Sequence, residues 1–345
     1  MKTSSILTLV SAALLIGGGW AGIRTAQALQ EAPVTAEKPA LEKGSGDSAG
    51  VTPVTESTPE QAAQADLLLE NARSGLANRQ SLQAEMRQQI IVGDRRLTAE
   101  GTYISAAPYP KLRLEYRIRV GTMQGSLTEI CDGRILHTTK TVGKAGAQDP
   151  KDLDQQYSRR DVERILAARD VSLNLPLASQ GAELGIGGLP AILASIDRCM
   201  KGKRVTEEEF EGQKCQVFHG VWDQDILQKY DSALKQAKAS LVPFFPDKVQ
   251  LFLTADTLTP VKIVYLKNDL NEAGKLIAER ALMILEFSQI QLDLPIPPET
   301  FQFVLPSGKE EIDRTTEFLN LIKQADAELK GTPAVAPALP TRKAK

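Results

Sequence analysis

Two histidines, three cysteines and a run of glutamates are the residues of this chain whose types could do chemistry. His137 and His219 each fall inside a predicted strand, with no helical histidine pair and no Cys-x-x-Cys to build a zinc site. Each reads as a sheet-face residue. Gly181, Gly185, Gly187 and Gly188 have the look of a phosphate loop but do not follow a strand in a βαβ unit, so they read as a plain loop. Glu207, Glu208 and Glu209 are consecutive on a predicted strand, alternate between its faces and cannot converge on one site; a solvated edge explains them better. There is no Gly-x-Ser-x-Gly, Walker loop or dinucleotide fingerprint. The expectation is a non-enzymatic chain without metal or cofactor; a hydrolase built from distant carboxylates is the enzyme alternative.

The cysteines bear on redox and architecture. Three in an exported chain allow one disulfide and leave one thiol. Cys199 closes a predicted helix and Cys215 lies on the second strand of the hairpin that follows, so these two are the predicted pair. Cys131 reads as a buried strand residue beside the Asp132–Gly133 turn.

The elements that must position these residues come mostly from alternation. Leu112, Leu114, Tyr116, Ile118 and Val120 alternate with Lys111, Arg113, Glu115, Arg117 and Arg119, giving a strand with one apolar and one charged face. Further strands are predicted near 81–92, 97–105, 122–130, 134–140, 203–210, 213–222, 248–254, 260–267, 275–291 and 301–305. Their short turns force antiparallel neighbours. Thr58-Pro59-Glu60-Gln61 is a helix start, followed by an apolar stripe of Ala65, Leu68, Leu69, Ala72 and Leu76. Helices are also predicted over 152–169, 189–200, 226–241 and 313–329. The fold class is therefore α+β: a long, strongly curved antiparallel sheet of about 11 strands, an unclosed half-barrel covered by helices.

The termini read differently. Lys2, the apolar run from Ile6 and Ala26-Gln27-Ala28 are the three regions of a secretory signal over 1–28. Ile6 to Ile23 is also just long enough for an uncleaved N-terminal anchor. Residues 29–57 read as a disordered linker, 58–330 as one folded domain, and 331–345 as a disordered tail. Removing 1–28 takes away Lys2 and Arg24 and moves the formal charge from −2 to −4. A mildly acidic surface without basic blocks does not suit nucleic acid or an anionic bilayer. A periplasmic or secreted monomer is expected.

Val249–Leu253, Val261–Leu266 and Leu282–Leu285 carry aliphatics on both strand faces. Either helices pack over a twisted sheet, or a half-barrel leaves a cavity for acyl chains. The cavity candidates are Leu114, Tyr116, Ile118, Leu251, Leu253, Ile263, Tyr265, Leu282 and Ile284.

Three segments carry a resemblance: Pro110-Lys111-Leu112-Arg113-Leu114-Glu115-Tyr116, Cys131-Asp132-Gly133-Arg134-Ile135-Leu136 and Phe301-Gln302-Phe303-Val304-Leu305-Pro306. Over roughly 60–140 and 248–328 the chain resembles the periplasmic outer-membrane lipoprotein carrier (LolA-like) family. That resemblance implies an eleven-stranded unclosed barrel with helices lidding a hydrophobic cavity, and lipid or lipoprotein acyl chains as partners. It equally implies, from relatives that sense envelope stress, a scaffold binding an envelope protein. In the dedicated carrier an arginine that helps control release precedes the strand-three proline. Tyr109 stands at that position here, and 141–247 is longer than in the simple carriers.

Overall fold

The computed structural model describes residues 57–92, 95–108, 110–120, 123–146, 153–168, 188–225, 246–320 and 323. The expected leader, linker, 226–241 helix and C-terminal tail, together with Tyr109 and the glycines before Gly188, lie outside the described residues.

Helix α1 (Pro59–Ala77) begins as its sequence dictates. The Thr58 hydroxyl accepts from the Gln61 N–H at 3.3 Å, and the Gln61 side chain accepts from the Thr58 N–H at 3.0 Å. These bonds satisfy backbone donors that the first turn leaves free. Ala65, Leu68, Leu69 and Ala72 are its buried stripe.

Among the described residues, twelve strands form one sheet. β1 (Ser81–Val92), β2 (Arg95–Ala106), β3 (Lys111–Val120), β4 (Met123–Cys131), β5 (Ile135–Lys144) and β6 (Asp154–Asp161) are one meander. After helices α2 (Val162–Ala167) and α3 (Gly188–Cys199), a second meander follows. It comprises β7 (Met200–Phe210), β8 (Gln213–Trp222), β9 (Lys248–Thr254), β10 (Pro260–Leu270) and β11 (Leu276–Leu292). Pairing of β1 with β11 joins the two, and β12 (Glu311–Asp313) adds to β6 as a short parallel edge. The sheet is open, with β7 and β12 at its edges.

Ladder register shows how this sheet is built. Val205, Phe218, Leu251, Ile263, Leu285, Gln88, Ala99 and Ile118 are successive cross-strand partners from β7 to β3. Side chains directly opposite one another share a face, so one lateral row crosses eight strands on the side that α1 and α3 cover. That inner face holds the main core. The Gly202 N–H donates to Asp66 Oδ1 at 2.8 Å, and a Cβ at Gly202 would lie 2.7 Å from the Ala65 Cβ. A bare backbone at this point lets α1 sit directly on β7. Cys215, Val217, Phe252, Val261, Val264 and Leu266 form a second, smaller cluster on the opposite face, which accounts for the strands that are apolar on both sides.

Four expectations need correction. Residues 154–161 are a strand, not part of a helix; Asp161 ends it and caps α2, accepting from the Arg164 N–H at 2.9 Å. The segment 301–305 keeps strand-like alternation, with Phe301 buried and Val304 82% exposed, but joins no ladder. The final strand is Glu311–Asp313, and the helix after it starts at Thr315, whose N–H donates to Asp313 Oδ1 at 2.9 Å.

The fourth correction concerns sulfur. Cys131, Cys199 and Cys215 are all free and buried. Cys199 accepts from the Asp223 N–H through its carbonyl, at the Trp222 end of β8, whereas Cys215 pairs with Glu208 near the turn. Seven residues of strand separate Cys215 from Trp222, roughly 23 Å at ~3.3 Å per residue. Disulfide Cα atoms stand only ~4.4–6.8 Å apart. The two thiols also belong to different clusters, Cys199 to the inner core and Cys215 to the opposite face. Burial pushes the Cys131 thiol up to about 12, further from the reactive thiolate. A thiol reagent is therefore expected to label none of the three in the native protein within minutes, and all three in denaturant without reductant. Fewer than three under denaturing conditions would contradict the free-thiol state.

Candidate binding face

The inner face is where the candidate residues meet. β3 contributes Leu114, Tyr116 and Ile118, β9 contributes Leu251 and Leu253, and β10 contributes Ile263 and Tyr265; all seven are buried in the one inner core. Ile284 is not with them. It pairs with Val264 and packs against the outer cluster, because Met283 and Leu285 take the inward positions of β11. Leu282 is buried as the extra residue of a bulge between the Tyr265–Met283 and Leu266–Ala281 pairs.

Close approach between strands shapes this face. A Cβ on Gly101 would lie 1.6 Å from the Glu115 carbonyl oxygen. Gly101 is opposite both Met86 and Tyr116, and the Tyr116 hydroxyl reaches over it to lie 3.9 Å from the Met86 sulfur. Burial drives the phenols of Tyr116, Tyr103 and Tyr265 above their ordinary range, so they stay neutral.

Gln88 is the one polar side chain in the eight-strand row, and it is fully buried. Its amide nitrogen donates to the Met283 sulfur at 3.1 Å, while its carbonyl oxygen has no hydrogen-bond partner. Polar contacts add to the apolar packing of the helical cover. The Tyr103 hydroxyl accepts from the Leu189 N–H at 3.2 Å, and Arg73 of α1 pairs with Asp197 of α3. Burial raises the Asp197 carboxyl despite that neighbour.

The apolar face ends in charge at β4–β6. Leu127 is opposite Lys140, and Leu136 is opposite Arg160. Arg160 pairs with Glu129 at 3.4 Å and lies 4.8 Å over the Phe318 ring. Thr138 donates to Glu129 at 3.4 Å. Burial lowers the Lys140 ammonium and the Arg160 guanidinium from their ordinary values, with Glu129 opposing the shift in both.

Both histidines lie on strands with local partners. His137 Nδ1 is 2.8 Å from Glu311 Oε1 and its ring stacks on Phe303, and His219 Nε2 is 2.8 Å from the Thr206 hydroxyl. Sequence reasoning missed Gln88, Phe218, Met283, Leu285 and Phe287 on the inner face. Within the strand predicted near 81–92, the alternation Leu82, Ala84, Met86, Ile90 could have placed Gln88 on the inner face, as its interruption.

No family model matches this sequence, and no curated protein does. Among solved structures, the chain is similar to lipoprotein LppX of Mycobacterium tuberculosis, at 10% identity over 68% of this chain and 98% of that one, TM-score 0.33. It is similar to MucB in its complex with MucA(peri), at 16% identity over 71% and 66% of the two chains, TM-score 0.29. A LolA superfamily protein from Nitrosomonas europaea is likewise similar, at 12% identity over 69% and 97%, TM-score 0.24.

Proposed function

We propose that this is an exported, non-enzymatic protein of the cell envelope that binds the acyl chain of a lipid or lipoprotein on its inner face and acts as a carrier. The observation that carries this reading is the lateral row from Val205 to Ile118, apolar across eight strands but for Gln88. Hydrocarbon is favoured there by removal of its surface from water, about 25 cal/mol for each Å² buried. An open sheet covered by separate helices leaves edges through which a chain can reach that face, which a closed barrel does not. Among the described residues no helix is long and apolar enough to cross a membrane.

A scaffold or sensor with a protein partner is the second reading. It is favoured by the exposed aliphatics Leu270 (56%) and Ile277 (61%) at the tip of the β10–β11 hairpin. Native mass spectrometry of the full chain purified from its own host separates the two. The carrier reading expects an added mass that releases acyl fragments on activation. A bare chain, or one holding only a protein partner, overturns it in favour of the scaffold.

A further inference from the structure

A cavity of about 660 Å³ lies at the far end of the sheet from the Leu270 tip. It falls within the ~300–1,000 Å³ range of small-molecule sites. Three chain segments border it, leaving it open to solvent on one side: the β7–β8 turn, the β9–β10 turn and the end of β11. It exists because β10 and β11 stop pairing at Lys262–Glu286 while β11 runs on beside β1 to Leu292. Its apolar walls come from both sides of the sheet: Phe287 belongs to the inner core, Val261 to the outer cluster, and Ile290 packs against both. The cavity is thus a gap that touches both faces.

The backbone around it is unusual. Glu211, Leu258, Gln289 and Asp293 are the non-glycine residues with positive φ, at 50–58°, among the described residues. Glu211 and Gln289 line the cavity, and Leu258 and Asp293 adjoin lining residues. Such conformations are costly for residues with a side chain and tend to gather at ligand clamps. The polar wall is already organised. Thr254, Thr257 and Thr259 are linked through their hydroxyls at 2.7 and 2.8 Å, and the Asp256 carboxylate accepts from the Thr257 N–H at 2.8 Å.

We propose that this gap is a ligand site for a neutral single-chain amphiphile, with the chain against Phe287, Ile290 and Val261 and a hydroxyl-bearing head at the threonines. The proposal rests on the acyl-binding reading and adds a place and a head-group class to it. The rim sets that class. Glu211 and Asp256 outnumber Lys214, so an anionic head meets net repulsion; a quaternary ammonium head carries no donor or acceptor for the Thr, Ser and Gln side chains, whereas hydroxyls can use them without a desolvated charge.

Monododecanoylglycerol binding to the full chain tests the site, with dodecanoate and dodecyltrimethylammonium as charged controls. Ser288→Trp fills the gap from an exposed position, and its fold is checked by circular dichroism. The proposal expects monoglyceride binding at least tenfold tighter than either control, and a tenfold or greater loss in Ser288→Trp. Equal binding of dodecanoate or of dodecyltrimethylammonium overturns the head-group class. Binding that survives in folded Ser288→Trp overturns the site but leaves acyl binding on the inner face standing. No binding of any of the three chains, with no acyl mass on the native protein, defeats both readings. If Ser288→Trp does not fold, Thr257→Trp, from the opposite wall, decides by the same criteria.

Discussion

Gly101→Ala is expected to cost more than the ~1–3 kcal/mol of ordinary overpacking. The obstacle is backbone: the new Cβ would fall 1.6 Å from the Glu115 carbonyl oxygen and 2.7 Å from its carbon. A flexible side chain could swing away, but here β2 and β3 themselves must separate. Their separation would break ladder pairs around Gly101–Tyr116 and lift Tyr116 from Met86. The loss should appear as a lower urea midpoint with an unchanged slope. A variant as stable as the parent would show that the strands are not in contact there, and the tight inner face would have to be redrawn.

Glu129→Ala is the second large effect, expected at about 3 kcal/mol or more, because it strands a buried cation. The Glu129 and Arg160 side chains are only 18% and 12% exposed. Arg160 lies over the Phe318 ring, and without Glu129 its remaining charged neighbours include Arg314. Removing both charges should hurt less than removing one, since the desolvation of Arg160 goes with it. Glu129→Ala/Arg160→Met is therefore expected to recover part of the loss. If the double variant is weaker than the single by the full cost of a second independent deletion, the pair is not coupled and the charged end of the face is ordinary solvated surface.

Much of this architecture could be read from side-chain order alone. Thr58 to Gln61 announces α1, and the alternation from Leu112 to Ile118 announces β3 with its correct inward set. β6 is illegible because its residues are almost all polar: Tyr157 is its only buried apolar side chain, so no apolar period marks a strand. Pairing with β5 and β12 makes it one, and that is tertiary information. The run Leu282-Met283-Ile284-Leu285 is apolar at every position, so alternation cannot choose which residues point inward. The ladder to β10 chooses Met283 and Leu285. Cys199 and Cys215 are close in sequence, but the first lies where β7 begins and the second just past the far turn. The cavity at the end of β11 depends on where two strands stop pairing, which no residue pattern announces.

Acyl binding on the inner face is the central claim, and a photoactivatable diazirine fatty acid tests it most directly. The full chain is irradiated with the probe and adducts are mapped by peptide. Adducts on inner-face residues of β1, β3, β9 and β10, among them Ile118, Leu251, Ile263 and Tyr265, and competed by unlabelled fatty acid, are the expected result. Labelling confined to exposed aliphatics such as Leu67, Leu270 and Ile277, or labelling that no competitor reduces, would contradict it.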